Sequence, residues 1–375
     1  MKPDSPLRVA VDATPLLGHR TGVGVFTDHL LRRLARRDDV HPVAYAVTWR
    51  GRGGLVHLVP PGADVTDIPM PARPLRAAWR RLSWPPIERF VGAVDVVHGT
   101  NFVVPPARLA GRVVTVHDLT VLHFPELCTS DVRAYPGLLH AAIERGAWVH
   151  AVSAWVAGEV VEHFGAPPDR VVAVPHGVPE VPAADPDDGR RVAGGDRYVL
   201  ALGTVEPRKD LPLLVRAFDR VASTDAAARL VIAGPDGWGA GALTTAIGAA
   251  RHGDRVVRLG WVDEDRRAAL LRGAAVLAYP SVYEGFGFPP LEAMTVGVPV
   301  VATTAGALPE VLGDAALLVA AGDELALAEA LDAALNDGPT RTRLTAAGSE
   351  RAAGYSWERC ADGLARLYER ASGGT

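Results

Sequence analysis

Short, nearly continuous apolar runs recur along the chain at 8–11, 42–47, 94–98, 113–116, 148–152 and 171–174, and again at 198–202, 230–233, 256–259, 275–279, 298–302 and 316–319. Runs this short and this apolar predict strands buried on both faces, as in a parallel sheet. Helical text lies between several of them. Phe26, Leu30, Leu31 and Leu34 recur at helical spacing after the loop GHRTGVGV, and LPLLVRAFDRVAS does the same in the second half. Strand, glycine loop and helix in repeated order predict doubly wound α/β sheets, whose ligands bind outside the C-terminal ends of the strands.

The alternation breaks once, at 179–197, where PEVPAADPDDGRRVAGGDR carries proline, acid and glycine without apolar periodicity. That segment is expected to be a linker between a domain at 1–178 and a second at 198–355. The closing text SWERCADGLARLYERA predicts an amphipathic helix over 356–372, with Ser356 as its cap and Leu364 and Leu367 on one face. A chain of 375 residues exceeds what one hydrophobic core usually supports, which agrees with two domains.

The chemistry concentrates between Tyr279 and Thr303. Glu284 and Glu292 stand on either side of a loop in which Gly285 and Gly287 flank Phe286, with Phe288 next. Pro289 and Pro290 suit a helix start and Gly297 a helix end, so a short helix is expected over 290–296. Its positive dipole end suits a diphosphate, and the two carboxylates suit paired sugar or ribose hydroxyls. The plainer alternative makes Glu292 a first-turn charge and Glu284 a solvated loop residue. Against it, such a glycine loop carries a conformational cost that a closely approaching ligand or backbone explains.

GTVEPRKD, after the strand expected at 198–202, places Arg208 and Lys209 at that strand's C-terminal end. Of 39 basic residues only Lys2 and Lys209 are lysine, so a lysine here stands out. An arginine that grips phosphate in parallel hydrogen bonds beside a compact ammonium would neutralise a diphosphate; two solvated strand-end charges are the alternative.

In the first domain Gly22 and Gly24 offer a G-x-G turn whose backbone could meet a phosphate. The third glycine of a dinucleotide fingerprint is replaced by Thr27, which makes a dinucleotide-binding reading the lesser one. His117 and Asp118 end the strand at 113–116; the histidine there either hydrogen-bonds a sugar hydroxyl and moves a proton or is a satisfied structural residue. Asn101, in HGTNFVVPP, contacts a ligand on the acceptor side or shapes a turn. Two aspartate pairs have the one-residue spacing of a divalent-ion site, Asp185 with Asp187 and Asp263 with Asp265. The first falls in the linker and the second where a cap and first-turn acid are expected, so no essential metal and no cofactor are expected.

Arg73, Arg76, Arg80 and Arg81 interleave with Leu75, Trp79, Leu82 and Trp84. This is a surface for an anionic or lipid-linked acceptor with weak peripheral membrane contact, or, more commonly, a solvated helix packing its apolar side. A net charge of −4 speaks against nucleic acid. Two cysteines and the lack of an export or spanning segment point to a cytoplasmic setting, with the inner membrane face as the place where the basic patch would act.

With TGVGV, HGTNFVVP, VTVHDL followed by FPE, VPHGV, GTVEPRK and PSVYEGFGFPPLEAM in view, the chain resembles the retaining glycosyltransferases of family 4 over nearly its full length. The resemblance implies the GT-B fold, two facing Rossmann-like domains with a C-terminal helix crossing back onto the first. The wording is most like GDP-mannose-dependent α-mannosyltransferases. It implies that Arg208 and Lys209 bind the donor diphosphate and Glu292 the ribose. Glu284, with the backbone of Gly285 to Phe288, would hold the transferred sugar, and His117 would contact it from the other domain. The implied activity is transfer of a hexose, with mannose from GDP-mannose foremost, to a hydroxyl of a glycan, lipid-linked or small-molecule acceptor. A nucleotide-sugar epimerase of the same fold and a non-catalytic nucleotide-sugar-binding protein are the alternatives. His176 stands where asparagine is frequent in the family.

Overall fold

A computed structural model describes residues 5–18 and 22–373. It divides into two compact units: residues up to Gly177 together with those from Ser356 onward, and Val178–Tyr355 between them.

The first unit is built on seven parallel strands, β1 (Leu7–Asp12), β2 (Val40–Tyr45), β3 (Asp64–Val65), β4 (Val96–Gly99), β5 (Gly111–Val116), β6 (Trp148–Ala151) and β7 (Val171–Ala173), in the order β3-β2-β1-β4-β5-β6-β7. The expected strands are present, and the two-residue β3 joins them at the edge; it is too short to carry a hydrophobic pattern of its own. In the first helix, Gly22–Leu34, the spaced Phe26, Leu30, Leu31 and Leu34 are all buried. The C-terminal helix Trp357–Ser372 starts as expected, with Ser356 Oγ accepting from the amide of Arg359 at 3.2 Å. It buries Leu364, Leu367 and Tyr368 within this unit, and Tyr368 Oη lies 2.7 Å from His98 Nδ1 on β4.

The second unit has six parallel strands, β8 (Tyr198–Leu202), β9 (Arg229–Ala233), β10 (Val256–Gly260), β11 (Val276–Tyr279), β12 (Val300–Thr303) and β13 (Leu317–Val319), ordered β10-β9-β8-β11-β12-β13. β8 and β11 are fully buried, whereas the edge strands β10 and β13 are half-buried. In each sheet the strand order reverses once, between β1 and β4 and between β8 and β11. Ligands of doubly wound sheets bind outside the strand ends at such a reversal.

Two expectations are corrected here. The segment 179–197 is not a plain linker, because it contains the helix Pro186–Ala193 and belongs to the second unit. Asp185 caps that helix by accepting from the amide of Asp187, which accounts for the aspartate pair locally. Its packing face consists of Gly189 and Ala193 in place of large apolar residues; a Cβ on Gly189 would lie 2.2 Å from the carbonyl oxygen of Ala269, on the neighbouring helix Glu264–Gly273. Close backbone contact leaves no apolar periodicity to read. The helix expected at 290–296 is Phe288–Thr295, which starts two residues earlier behind Gly287 at φ +99° and is followed by Gly297 at φ +77°.

Candidate active site

β8 carries the chain to Gly203, and a one-turn helix, Pro207–Lys209, then presents Arg208 and Lys209 at the sheet's C-terminal end. The next residue, Asp210, holds a left-handed backbone at φ +41° while capping the helix Leu211–Thr224. Such a conformation is costly for a residue with a side chain and marks a tightly determined corner. β11, on the other side of the strand reversal, delivers Tyr279 and then Glu284.

The arms meet at one carboxylate oxygen. Glu284 Oε1 lies 2.6 Å from Lys209 Nζ and 2.7 Å from Arg208 Nη1. Lys209 also donates to Tyr279 Oη at 2.6 Å and sits 4.3 Å from the centre of the Tyr279 ring. Arg208 donates to the carbonyl of Tyr283 at 2.9 Å, and the amide of Val282 donates to the carbonyl of Arg208, also at 2.9 Å. Burial would raise the Glu284 carboxyl, but the Lys209 ammonium and Arg208 guanidinium outweigh it and bring it down to about 2. Burial lowers Lys209 in turn, with Glu284 opposing that drop. Glu206 adds a second carboxylate, its Oε2 3.6 Å from Arg208 Nη2, so the two cations are close to charge-balanced in this corner. Their fixed N–H donors and local field stand at the strand ends, where an anion would meet them.

A backbone approach supports Glu284 from behind. Gly306, at φ +58°, lies so close that a Cβ there would stand 2.3 Å from the carbonyl oxygen of Glu284, and the amide of Ala307 donates to that same oxygen at 2.8 Å. Phe286 packs edge-on against Phe288 and Tyr355, with ring centres 5.6 Å apart in both pairs. The glycine loop is therefore a packed structure. Pro289 and Pro290 supply no N–H, so the helix Phe288–Thr295 offers its dipole with fewer donors than an ordinary first turn. Glu292 is buried on that helix and paired with Arg267.

Arg208, Lys209 and Glu284 are thus brought together, while Glu292 stands with Arg267 on the same unit. Tyr279, Arg267 and Gly306 are neighbours that the motifs did not single out. Tyr279 had a legible signal, since a tyrosine ending a buried strand needs a partner for its hydroxyl.

The remaining candidates lie in the first unit. Gly22 and Gly24 belong to the first turn of Gly22–Leu34, so they form a helix start and not a G-x-G loop; residues 19–21 of that loop lie outside the described residues. Asp118 accepts from the amide of Thr120 at 2.9 Å and shapes the turn into the helix Thr120–His123. Asn101 accepts from the amide of Val103 through its carbonyl at 2.6 Å, in a loop folded so tightly over Gly99 that a Cβ there would stand 1.9 Å from Val103 O.

His117 is partly exposed and bonded on both ring nitrogens, Nε2 to the carbonyl of Thr100 at 2.8 Å and Nδ1 to His176 Nε2 at 3.2 Å. It belongs to a group with His98, His150 and His176 around Phe26. Thr115 Oγ1 bridges His98 Nε2 and His150 Nδ1 at 2.7 and 2.9 Å, and His150 Nε2 donates to Val174 O at 2.8 Å. Burial lowers all four imidazoles, His150 to about 3, so the cluster is neutral near pH 7. In the helix Ala72–Arg81, Leu75 and Trp79 are buried, whereas Leu82 and Trp84 beyond its end are exposed. Among the described residues no helix is long and apolar enough to cross a membrane.

Comparison with known proteins adds to this geometry. Residues 20–180 match the family model described as Glycosyltransferase Family 4, and 187–351 that described as Glycosyl transferases group 1. The O-antigen chain mannosyltransferase B of Escherichia coli is 32% identical over 282 residues, covering 73% of this chain and 74% of that protein. A D-inositol 3-phosphate glycosyltransferase of Frankia alni is 30% identical over 305 residues, covering 75% of each. Among solved structures, a sucrose-phosphate synthase from Thermosynechococcus elongatus superimposes with a TM-score of 0.74 at 20% identity, over 98% of this chain and 100% of that one. Anabaena HepE in complex with UDP and glucose does so with a TM-score of 0.72 at 17% identity, over 97% of this chain and 100% of that one.

Proposed function

This chain belongs to the group 1 and family 4 glycosyltransferases, with two Rossmann-like sheets of the GT-B fold, and we propose that it transfers mannose from GDP-mannose, with retention and without an essential metal. The observation that carries the proposal is the convergence of Lys209 and Arg208 on Glu284 Oε1 beside the strand reversal between β8 and β11. A diphosphate placed there meets fixed cations that stabilise leaving-group charge without solvent reorganisation.

In this reading Arg208 and Lys209 hold the diphosphate and Glu292 the ribose, exchanging part of its bond to Arg267. Glu284 and the backbone of Gly285 to Phe288 hold the mannose. His117, Gly22 and Gly24 stay candidates of the first unit, His117 on giving up one of its two ring bonds and the glycines through helix-start amides. Asn101 and Asp118 lie on the acceptor side. The acceptor oxygen bonds to the anomeric carbon on the face the diphosphate leaves, and its proton passes to the departing phosphate, so no carboxylate nucleophile is needed. The acceptor is a hydroxyl of a glycan, a lipid-linked sugar or a small molecule. Exposed Leu82 and Trp84 beside Arg80 and Arg81 suit a lipid-linked one, through weak contact with a cytoplasmic membrane face.

Several relatives are named D-inositol 3-phosphate glycosyltransferase, which favours a second reading, a phosphorylated cyclitol as acceptor with a different donor sugar. Incubation with GDP, UDP and ADP sugars, with and without EDTA, decides between donors. GDP-mannose turnover that survives EDTA is the expected result, and NMR of the product reads its anomeric configuration. Turnover of another donor alone overturns the mannose assignment. A product epimerised at C2 would make the protein an epimerase, and donor affinity without turnover, unaffected by Glu284→Ala, would make it a binding protein.

A further inference from the structure

After β5 the chain runs through the short helix Thr120–His123, which leaves His123 at its last position beside the helix Ala154–Phe164. On that second helix Glu159 and His163 are four residues apart and so project from one face. His123 Nε2 lies 2.6 Å from Glu159 Oε1, the His123 and His163 ring centres are 5.9 Å apart, and one donor atom from each of the three residues lies within 4.8 Å of the other two. Glu159 is buried and the two histidines are exposed, so a carboxylate floor lies under two imidazoles open to solvent.

A hydrogen bond between His123 and Glu159 accounts for two of these residues and leaves the third donor unexplained. Two imidazoles and one carboxylate form a zinc-type donor set, with a fourth position left for water. Donors in a tetrahedral zinc site stand about 3.3 Å apart, given bond lengths of about 2.0–2.1 Å. Binding would therefore replace the 2.6 Å hydrogen bond between His123 and Glu159, moving those two donors slightly apart, and would draw in His163 by rotation of its exposed side chain.

We propose that His123, Glu159 and His163 bind a divalent transition metal of the zinc class, tying the segment after β5 to the helix Ala154–Phe164. The bound ion is structural. It lies in the first unit, whereas the charge cluster assigned to donor chemistry lies in the second, so the proposal stands or falls apart from the donor reading.

The test is calorimetric titration of tag-free, chelator-treated protein with Zn(II), backed by the visible absorption of Co(II), a direct reporter of coordination number. The wild type is expected to bind one equivalent with a raised melting temperature, since binding to the folded state alone raises apparent stability. His163→Ala and His123→Ala are each expected to weaken binding by about tenfold or more. Both residues are exposed, and His163→Gln with circular dichroism provides a second variant should the alanine form misfold. Absence of saturable binding in the wild type, or equal affinity in wild type and variants, overturns the site.

Discussion

Glu284 Oε1 takes Lys209 and Arg208 together, so removal of either cation leaves a buried carboxylate with one of these two cationic partners. Lys209→Ala is expected to lower kcat by about 10²–10³-fold, the usual cost of deleting one preorganised electrostatic group. The melting temperature should fall as well, because a buried ion pair is costly to break from one side. A turnover number equal to wild type would remove Lys209 from the chemistry. The same groups set two pH windows. Glu284 titrates at about 2 in the fold against an ordinary 4.5, so its contribution is complete above about 4.5 and is lost as pH falls toward 2. The four clustered histidines titrate below their ordinary 6.5 in the fold, so the unfolded chain takes up protons first. Their contribution is complete above about 6.5 and declines as pH drops below it. Urea midpoints measured between pH 8 and 3 should therefore begin to fall near 6.5 and fall further below 4.5. A flat profile down to pH 5 would show that the histidine cluster accepts protons without cost. Arg208, Lys209, Glu284 and Glu292 could be read as candidates from residue type and spacing. That two of them would share one oxygen while Glu292 went to Arg267 could not, since it depends on where two strand ends come to lie.

At the scale of elements, the loop that ends β12 holds the loop that follows β11. Gly306→Ala introduces a Cβ 2.3 Å from the carbonyl oxygen of Glu284 at a left-handed backbone position. It is expected to cost about 1–3 kcal/mol and to displace Glu284, lowering melting temperature and turnover together. Unchanged values in both would show that this contact yields freely. Tyr368→Phe leaves His98 Nδ1 buried without its hydroxyl partner, a loss of about 1–3 kcal/mol, read as a lower urea midpoint with activity per folded molecule retained. Twelve strands and the main helices are legible because their apolar periods are strong. The helix Pro186–Ala193 is not, because its packing face is glycine and alanine in backbone contact, and β3 is not, because two residues hold no period.

In the whole molecule, the last helix belongs to the unit built by the first half of the chain. Truncation after Tyr355 would strip Trp357, Leu364, Leu367 and Tyr368 from a buried face of that unit. Limited proteolysis should then find the first unit newly sensitive along its sheet, and a truncated chain whose first unit resists protease like the intact one would refute this. Cap, amphipathic face and length of that helix can be read from its own residues; its place on the first unit is implied only by the family resemblance, and the structure has it there.

The sequence by itself determined the architecture and the candidate chemistry. Near-continuous apolar runs separated by helical text admit little besides parallel sheets with helices on both faces. A lone internal lysine beside an arginine, and two glutamates astride a glycine loop, point to an anion and a polyol before any fold is known. Tertiary structure decided which of these residues cooperate. The parallel pairing of β8 with β11 at the strand reversal puts Arg208 and Lys209 on Glu284, although 75 and more residues separate them along the chain. The same folding commits the two nitrogens of His117 to His176 and to the carbonyl of Thr100 and closes His123 onto Glu159. Side-chain hydrogen bonds act over about 3 Å, and only the packed chain sets which donors and acceptors come within that reach.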